Sequence, residues 1–140
     1  MLRTSLTHPE ILRALAAAGH GSTVLISDGN FPHATAPHPG ATRVFLNLSP
    51  GRLTVSEVLE AVLTVLPVER AALMDPADGS APPKAHAAIE ALLPADTPVD
   101  HIPRFDFYAA TNSDHLALVI ATGDLRPYAN VLLTVGVITA

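Results

Sequence analysis

Apolar residues along the chain follow two spacings. Ile11, Leu12, Leu15 and Ala18 recur at helical intervals after Thr7-His8-Pro9-Glu10. There a threonine, a glutamate three residues on and a proline in the first turn predict a helix start, with Gly19 as its stop. Thr23-Val24-Leu25-Ile26-Ser27 is unbroken and β-branched, which predicts a short buried strand followed by the loop Asp28-Gly29-Asn30-Phe31-Pro32. Residues 43–46 predict a second strand. Thr54-Val55-Ser56-Glu57 has the capping-box form and predicts a helix reaching about Leu66, where Pro67 ends it. A strand over 71–74, a helix over 82–93, an extended segment over 99–103 and a short helix over 105–112 follow. Residues 115–121 and 130–137 are strongly β-prone, with a turn between them at 122–127.

Helices alternating with short apolar strands predict a layered α/β domain. Ligands of such sheets collect in the loops beyond strand ends, which points to 19–22, 28–33, 101–108 and 126–130.

Composition narrows the partners. The chain has 140 residues, enough for one domain with a real core, and 49% apolar residues against 15% charged ones exclude disorder. A net charge of -5, with eight scattered basic residues, excludes a nucleic-acid surface. No cysteine is present, so disulfides, zinc–thiolate sites, iron–sulfur clusters and cysteine nucleophiles are all excluded; this fits a cytoplasmic protein. Residues 1–10 lack the pattern of a signal peptide, and the apolar runs at 115–121 and 131–138 are too short to cross a bilayer. No membrane partner is expected. So few charges also leave little polar surface, which predicts apolar surface buried between subunits.

Among seven histidines, His8 in a cap, His38 between prolines, His86 on a helix and His115 at a strand start read as solvated or structural. His20 lies in Gly19-His20-Gly21, where little local bulk covers it, and an imidazole open to water can give or take a proton. Asp28 follows at the far end of the intervening strand. Spacing alone leaves two readings open, a shared acid–base site or an ordinary loop histidine and turn aspartate. The histidines at 8, 20, 33 and 38 with Asp28 match no compact ligand pattern, so no metal is expected. No GxGxxG follows a strand, and Lys84, the only lysine, sits in a proline-rich stretch rather than a phosphate loop.

Several segments together carry a resemblance. They are Pro9-Glu10-Ile11-Leu12, Gly19-His20-Gly21, Ser27-Asp28-Gly29-Asn30-Phe31-Pro32, Arg104-Phe105-Asp106-Phe107-Tyr108, Pro127-Tyr128-Ala129-Asn130-Val131-Leu132-Leu133 and Gly136-Val137. In order and spacing the chain resembles the ribose-pyranase/fucose-mutarotase family, cofactor-free proteins that interconvert ring forms of free monosaccharides. The resemblance implies a single three-layer α/β/α domain over 1–140 with a mainly parallel or mixed central sheet. It implies His20 as the catalytic acid–base group and Asp28, Arg104, Tyr128, Ala129 and Asn130 as substrate-binding residues, to which the partly apolar face of a sugar adds Tyr108. It also implies a ring-shaped homo-oligomer, often a decamer, with sites at subunit junctions. Asn30-Phe31-Pro32 and residues 104–108 resemble the fucose branch, whereas Tyr128-Ala129-Asn130 is spelled as in the ribose branch. The weight falls on L-fucose.

Mutarotation opens a cyclic hemiacetal and recloses it on the other face. The ring oxygen gains a proton while the anomeric hydroxyl loses one, so a positioned acid and base suffice and no cofactor is needed. His20 would shuttle the proton, with Tyr128 as a second carrier and Asp28 orienting the histidine or holding a hydroxyl. Phe31 or Tyr108 would stack on the sugar while Arg104 and Asn130 donate hydrogen bonds. Phe105 and Phe107 fit core packing equally well. A non-catalytic sugar-binding protein would carry the same pocket.

Overall fold

The computed structural model describes residues 2–140. Six strands form one mixed sheet in the order β2-β5-β1-β6-β3-β4. These are β1 (Thr23–Ser27), β2 (Thr42–Phe45), β3 (Val68–Asp75), β4 (Val99–Pro103), β5 (Leu116–Ala121) and β6 (Val131–Val135). β6 runs antiparallel to its neighbours β1 and β3, while β1–β5, β2–β5 and β3–β4 are parallel. β1 lies inside the sheet and is apolar on both faces, as its unbroken pattern requires. Val24 and Ile26 face one core with Leu118, Ile120 and Leu133, and Leu25 faces the other with Val119 and Leu132.

The helices complete three layers. α1 (Pro9–Ala17), α2 (Val55–Leu63) and α3 (Lys84–Glu90) cover the first face through Ile11, Leu59 and Ile89. α4 (Arg104–Thr111) covers the second through Phe107, which packs with Phe31 from the loop after β1. The expected α/β/α architecture with a mixed sheet is the one formed.

Local signals set the helix starts, with one correction. α1 is capped by His8 rather than Thr7: its Nδ1 accepts from the Ile11 amide at 3.4 Å. A residue before proline is held extended, so His8 ahead of Pro9 takes the non-helical cap conformation. Nor is Gly19 a left-handed stop, because the chain leaves α1 through extended Ala18 and turns at Gly21, φ 80°. The capping box of α2 forms as expected, the Thr54 hydroxyl accepting from the Glu57 amide and the Glu57 carboxylate from the Thr54 amide. α3 begins later than expected because Pro82 and Pro83 keep the approach extended.

The turn after β5 is pinned by a buried carboxylate. Asp124 accepts from the Val55 amide at 2.9 Å, which ties α2 to the sheet, and from the backbone and guanidinium of Arg126. Burial alone would push this carboxyl up, but Arg126 and the amides outweigh it and hold it below its ordinary value of 3.8. A depressed folded pKa adds stability above the unfolded value and loses it as pH falls through the folded one. Asp124→Asn is therefore expected to cost about 2 kcal/mol at pH 7. Urea titrations at pH 7 and pH 3 check this, since the gap to wild type should narrow at the lower pH.

Candidate functional site

Strand direction decides which loops meet. β1, β3 and β5 end at the edge of the sheet where antiparallel β6 begins. Asp28 directly follows β1, and Asn130 directly precedes β6. Their pairing is reciprocal: the Asp28 amide donates to Asn130 Oδ1 at 3.0 Å, and Asn130 Nδ2 donates to Asp28 Oδ2 at 2.9 Å. The Asn30 amide donates to Asp28 Oδ1 at 2.8 Å. Asp28 is only 2% exposed and Asn130 fully buried. Burial pushes the Asp28 carboxyl above the ordinary carboxylate value, against the hydrogen bonds from Asn30, Asn130 and Phe31 that favour its ionised form. The result is a fixed carboxyl that holds a proton more readily than a surface aspartate.

Above this pair lies a cleft of about 190 Å³, lined chiefly by Asp28, Phe31, Met74, Arg104, Tyr108 and Tyr128. Phe31 meets the Tyr108 ring edge-on at 5.4 Å, and Arg104 Nε donates to the Tyr108 hydroxyl at 2.9 Å. That contact aims a guanidinium and a phenol at the same opening. Tyr128 has φ 62°, a left-handed conformation that a bulky residue adopts only when its surroundings hold it. The Asn130 amide bonding back to the Tyr128 carbonyl at 2.8 Å helps to hold it. Such a cleft is smaller than the ~300–1,000 Å³ of drug-sized sites. It suits one small polyhydroxylated ring, with a carboxyl, an amide, a guanidinium and phenols for hydroxyls and Phe31 for an apolar face.

Of the residues singled out from sequence, Asp28, Arg104, Tyr108, Tyr128 and Asn130 meet here. Ala129 is fully buried in the first core and leaves only its backbone to contribute. Phe107 is a core residue, while Phe105 is 66% exposed beside Arg104. Met74 and Pro127 also line the cleft and were missed; the signal for Met74 was its place at the end of β3, on the edge where ligands gather.

His20 does not join them within one chain. It precedes β1 whereas Asp28 follows it, and the five residues of β1, at ~3.3 Å each, put a strand length of about 17 Å between them. The His20 side chain is 59% exposed, with Nε2 2.9 Å from Glu69 Oε2. It borders an apolar depression that includes Val65, Leu66, Pro67 and Ile138. Direct orientation of His20 by Asp28 of the same chain is thus excluded, and the 19–22 loop lies at the opposite edge from the other three.

No helix among the described residues is long and apolar enough to cross a membrane. Comparison with known proteins places this architecture. The chain is 37% identical over 141 residues to the D-ribose pyranase of Paracidovorax citrulli, covering 98% of each chain. It is 33% identical to the fucose mutarotase of Mus musculus, covering 91% of this chain and 88% of that one. Its fold matches that of Bacillus subtilis RbsD complexed with D-ribose at a TM-score of 0.84, over 99% of this chain and all of that one at 23% identity. The model of the RbsD / FucU transport protein family matches residues 1–138, and the chain belongs to that family.

Proposed function

We propose that the protein is a mutarotase of a free monosaccharide, working by general acid–base catalysis without a cofactor. The observation that carries this is the Asp28–Asn130 pair, a buried and hydrogen-bonded carboxyl at the floor of a cleft sized for one sugar ring. Asp28 and Asn130 hold hydroxyls, Arg104, Tyr108 and the backbone at Ala129 complete the polar grip, and Tyr128 is positioned as one proton carrier.

The second carrier is His20 from a neighbouring subunit. Two exposed apolar patches support this arrangement. Leu48 and Leu125 are 89% and 60% exposed in a depression that also contains the cleft residue Asn30. Ile138, 81% exposed, lies with Val65 in the depression beside His20. Docking one patch on the other buries both and carries His20 toward a neighbour's Asp28. A contact between unlike surfaces closes into a ring when the rotation permits, which fits a decameric or similar homo-oligomer.

L-fucose is the preferred sugar. Phe31, Met74 and Pro127 give the cleft an apolar wall for the methyl group of a 6-deoxyhexose, which ribopyranose lacks. D-ribose is the second reading, favoured by the D-ribose pyranases among the relatives and by the spelling Tyr128-Ala129-Asn130. Exchange NMR at anomeric equilibrium decides between them. Catalytic amounts of protein are expected to speed exchange between the α and β signals of L-fucose more than pyranose–furanose exchange of D-ribose. Unchanged exchange for both, and for a wider panel of free sugars, would reduce the protein to a sugar binder.

A further inference from the structure

Behind the Met74 wall of the cleft lies a second group of side chains with no part in the proposed sugar chemistry. Asp75 ends β3, His101 lies on the adjoining strand β4, and His86 projects from α3; one ligand-capable atom of each falls within 4.8 Å of the others. His86 is 3% exposed. Its Nε2 is 3.1 Å from the Met74 carbonyl, which only accepts, so Nε2 carries the proton and Nδ1 the lone pair. That lone pair has no hydrogen-bond partner among the described residues and faces Asp75 Oδ1 at 3.5 Å, acceptor against acceptor.

His101 completes the pattern. Its Nδ1 is 3.1 Å from Asp75 Oδ1 and its Nε2 is 3.2 Å from Glu90 Oε1. Each imidazole therefore has Nε2 on an oxygen acceptor and Nδ1 turned toward the same carboxylate. A carboxylate or carbonyl on the far nitrogen is the arrangement that orients metal-binding histidines. The two Nδ1–Oδ1 separations bracket the ~3.3 Å edge of a tetrahedron with metal–ligand bonds of about 2.0–2.1 Å. A protonated His101 bridging Asp75 and Glu90 would satisfy its own ring but leave His86 Nδ1 facing a carboxylate.

We propose that Asp75, His86 and His101 bind a divalent transition-metal ion, with Zn²⁺ the best match to two imidazoles and one carboxylate. Glu90 and the Met74 carbonyl hold the imidazoles in place, and half-exposed His101 leaves a remaining coordination position open to solvent. The ion clamps α3 to the ends of β3 and β4. α3 is seven residues long with no side-chain cap, so such a clamp would add to the packing of Ala85 and Ile89 that holds it.

The test uses the full chain freed of affinity-tag histidines and stripped with a chelator. Co²⁺ is titrated by visible absorption and Zn²⁺ by calorimetry. We expect one ion per chain, Co²⁺ bands of low-coordinate intensity that Zn²⁺ abolishes, and a rise in Tm with Zn²⁺. Because His86 is buried, its replacement would confound binding with folding; His101→Ala and Glu90→Gln alter more exposed side chains. Glu90→Gln should weaken binding about 10–100-fold, and His101→Ala at least as much while abolishing the Tm rise. Absence of saturable 1:1 binding in wild type, or binding undiminished by His101→Ala, overturns the proposal. Neither readout depends on sugar turnover.

Discussion

Replacing His20 with alanine is expected to lower the rate of anomer exchange by about 10²–10⁴-fold, the contribution of one positioned acid–base group. The fold should survive, because His20 makes only a surface pair with Glu69, which contributes at most about 1 kcal/mol. Asp28→Asn should also be inactive, since it replaces the buried carboxyl of the cleft. The placement of the two residues at opposite ends of β1 makes a sharper test possible. If each site takes His20 from one subunit and Asp28 from its neighbour, hybrid oligomers of the two inactive variants regain intact sites. Random mixing makes about a quarter of the sites whole. Recovery of exchange on co-assembly, measured by NMR, supports the shared site. Hybrids as inactive as their parents would mean that His20 does not act across a subunit boundary.

The largest expected effect on stability lies at Gly123. A Cβ there would collide with the backbone carbonyls of Arg52 and Ser49, and backbone has no flexible end that can swing aside. The same two turns are joined by hydrogen bonds from the Gly51 amide to the Gly123 carbonyl and from the Gly123 amide to the Arg52 carbonyl. Gly123→Ala must separate the 49–52 turn from the 122–124 turn, which also disturbs the hold of Asp124 on α2. We expect a loss of about 3–5 kcal/mol, a large part of the ~5–15 kcal/mol that holds a domain folded. Gly19→Ala is the control, since its Cβ would meet nothing within 4 Å and its φ lies outside the left-handed region. That change should be neutral or stabilise by up to ~1 kcal/mol. Urea unfolding midpoints measure both, and a loss below ~1 kcal/mol at Gly123 would mean that the turns can separate at little cost.

At the cleft, the aromatic and charged wall was legible as a segment before it was legible as a surface. Residues 104–108 stood out as a unit, but their sequence does not say that Phe107 turns into the core while Tyr108 turns to the opening. Helical rotation about α4 separates them, and the sheet face beneath decides which one is covered. Met74 shows the converse. Its place near the end of β3 gains meaning only when β3 is laid beside β6 and that end is found at the edge where Tyr128 also lies.

By itself the sequence determined what depends on neighbours a few residues away. The capping box at Thr54 and Glu57, the β-branched runs of β1, β5 and β6, the extended residue forced before Pro9 and the order of the family's segments are all of that kind. Tertiary structure decided what depends on the direction of whole strands. Parallel β1 and β5 against antiparallel β6 bring Asp28 to Asn130, residues a hundred positions apart, and leave His20 at the other edge. The same pairing of β3 with β4, with α3 packed across them, brings Asp75, His86 and His101 together although no local spacing marks them as a set. Local patterns record which conformation each segment prefers, whereas a site assembled from distant segments exists only after the sheet has set their ends side by side.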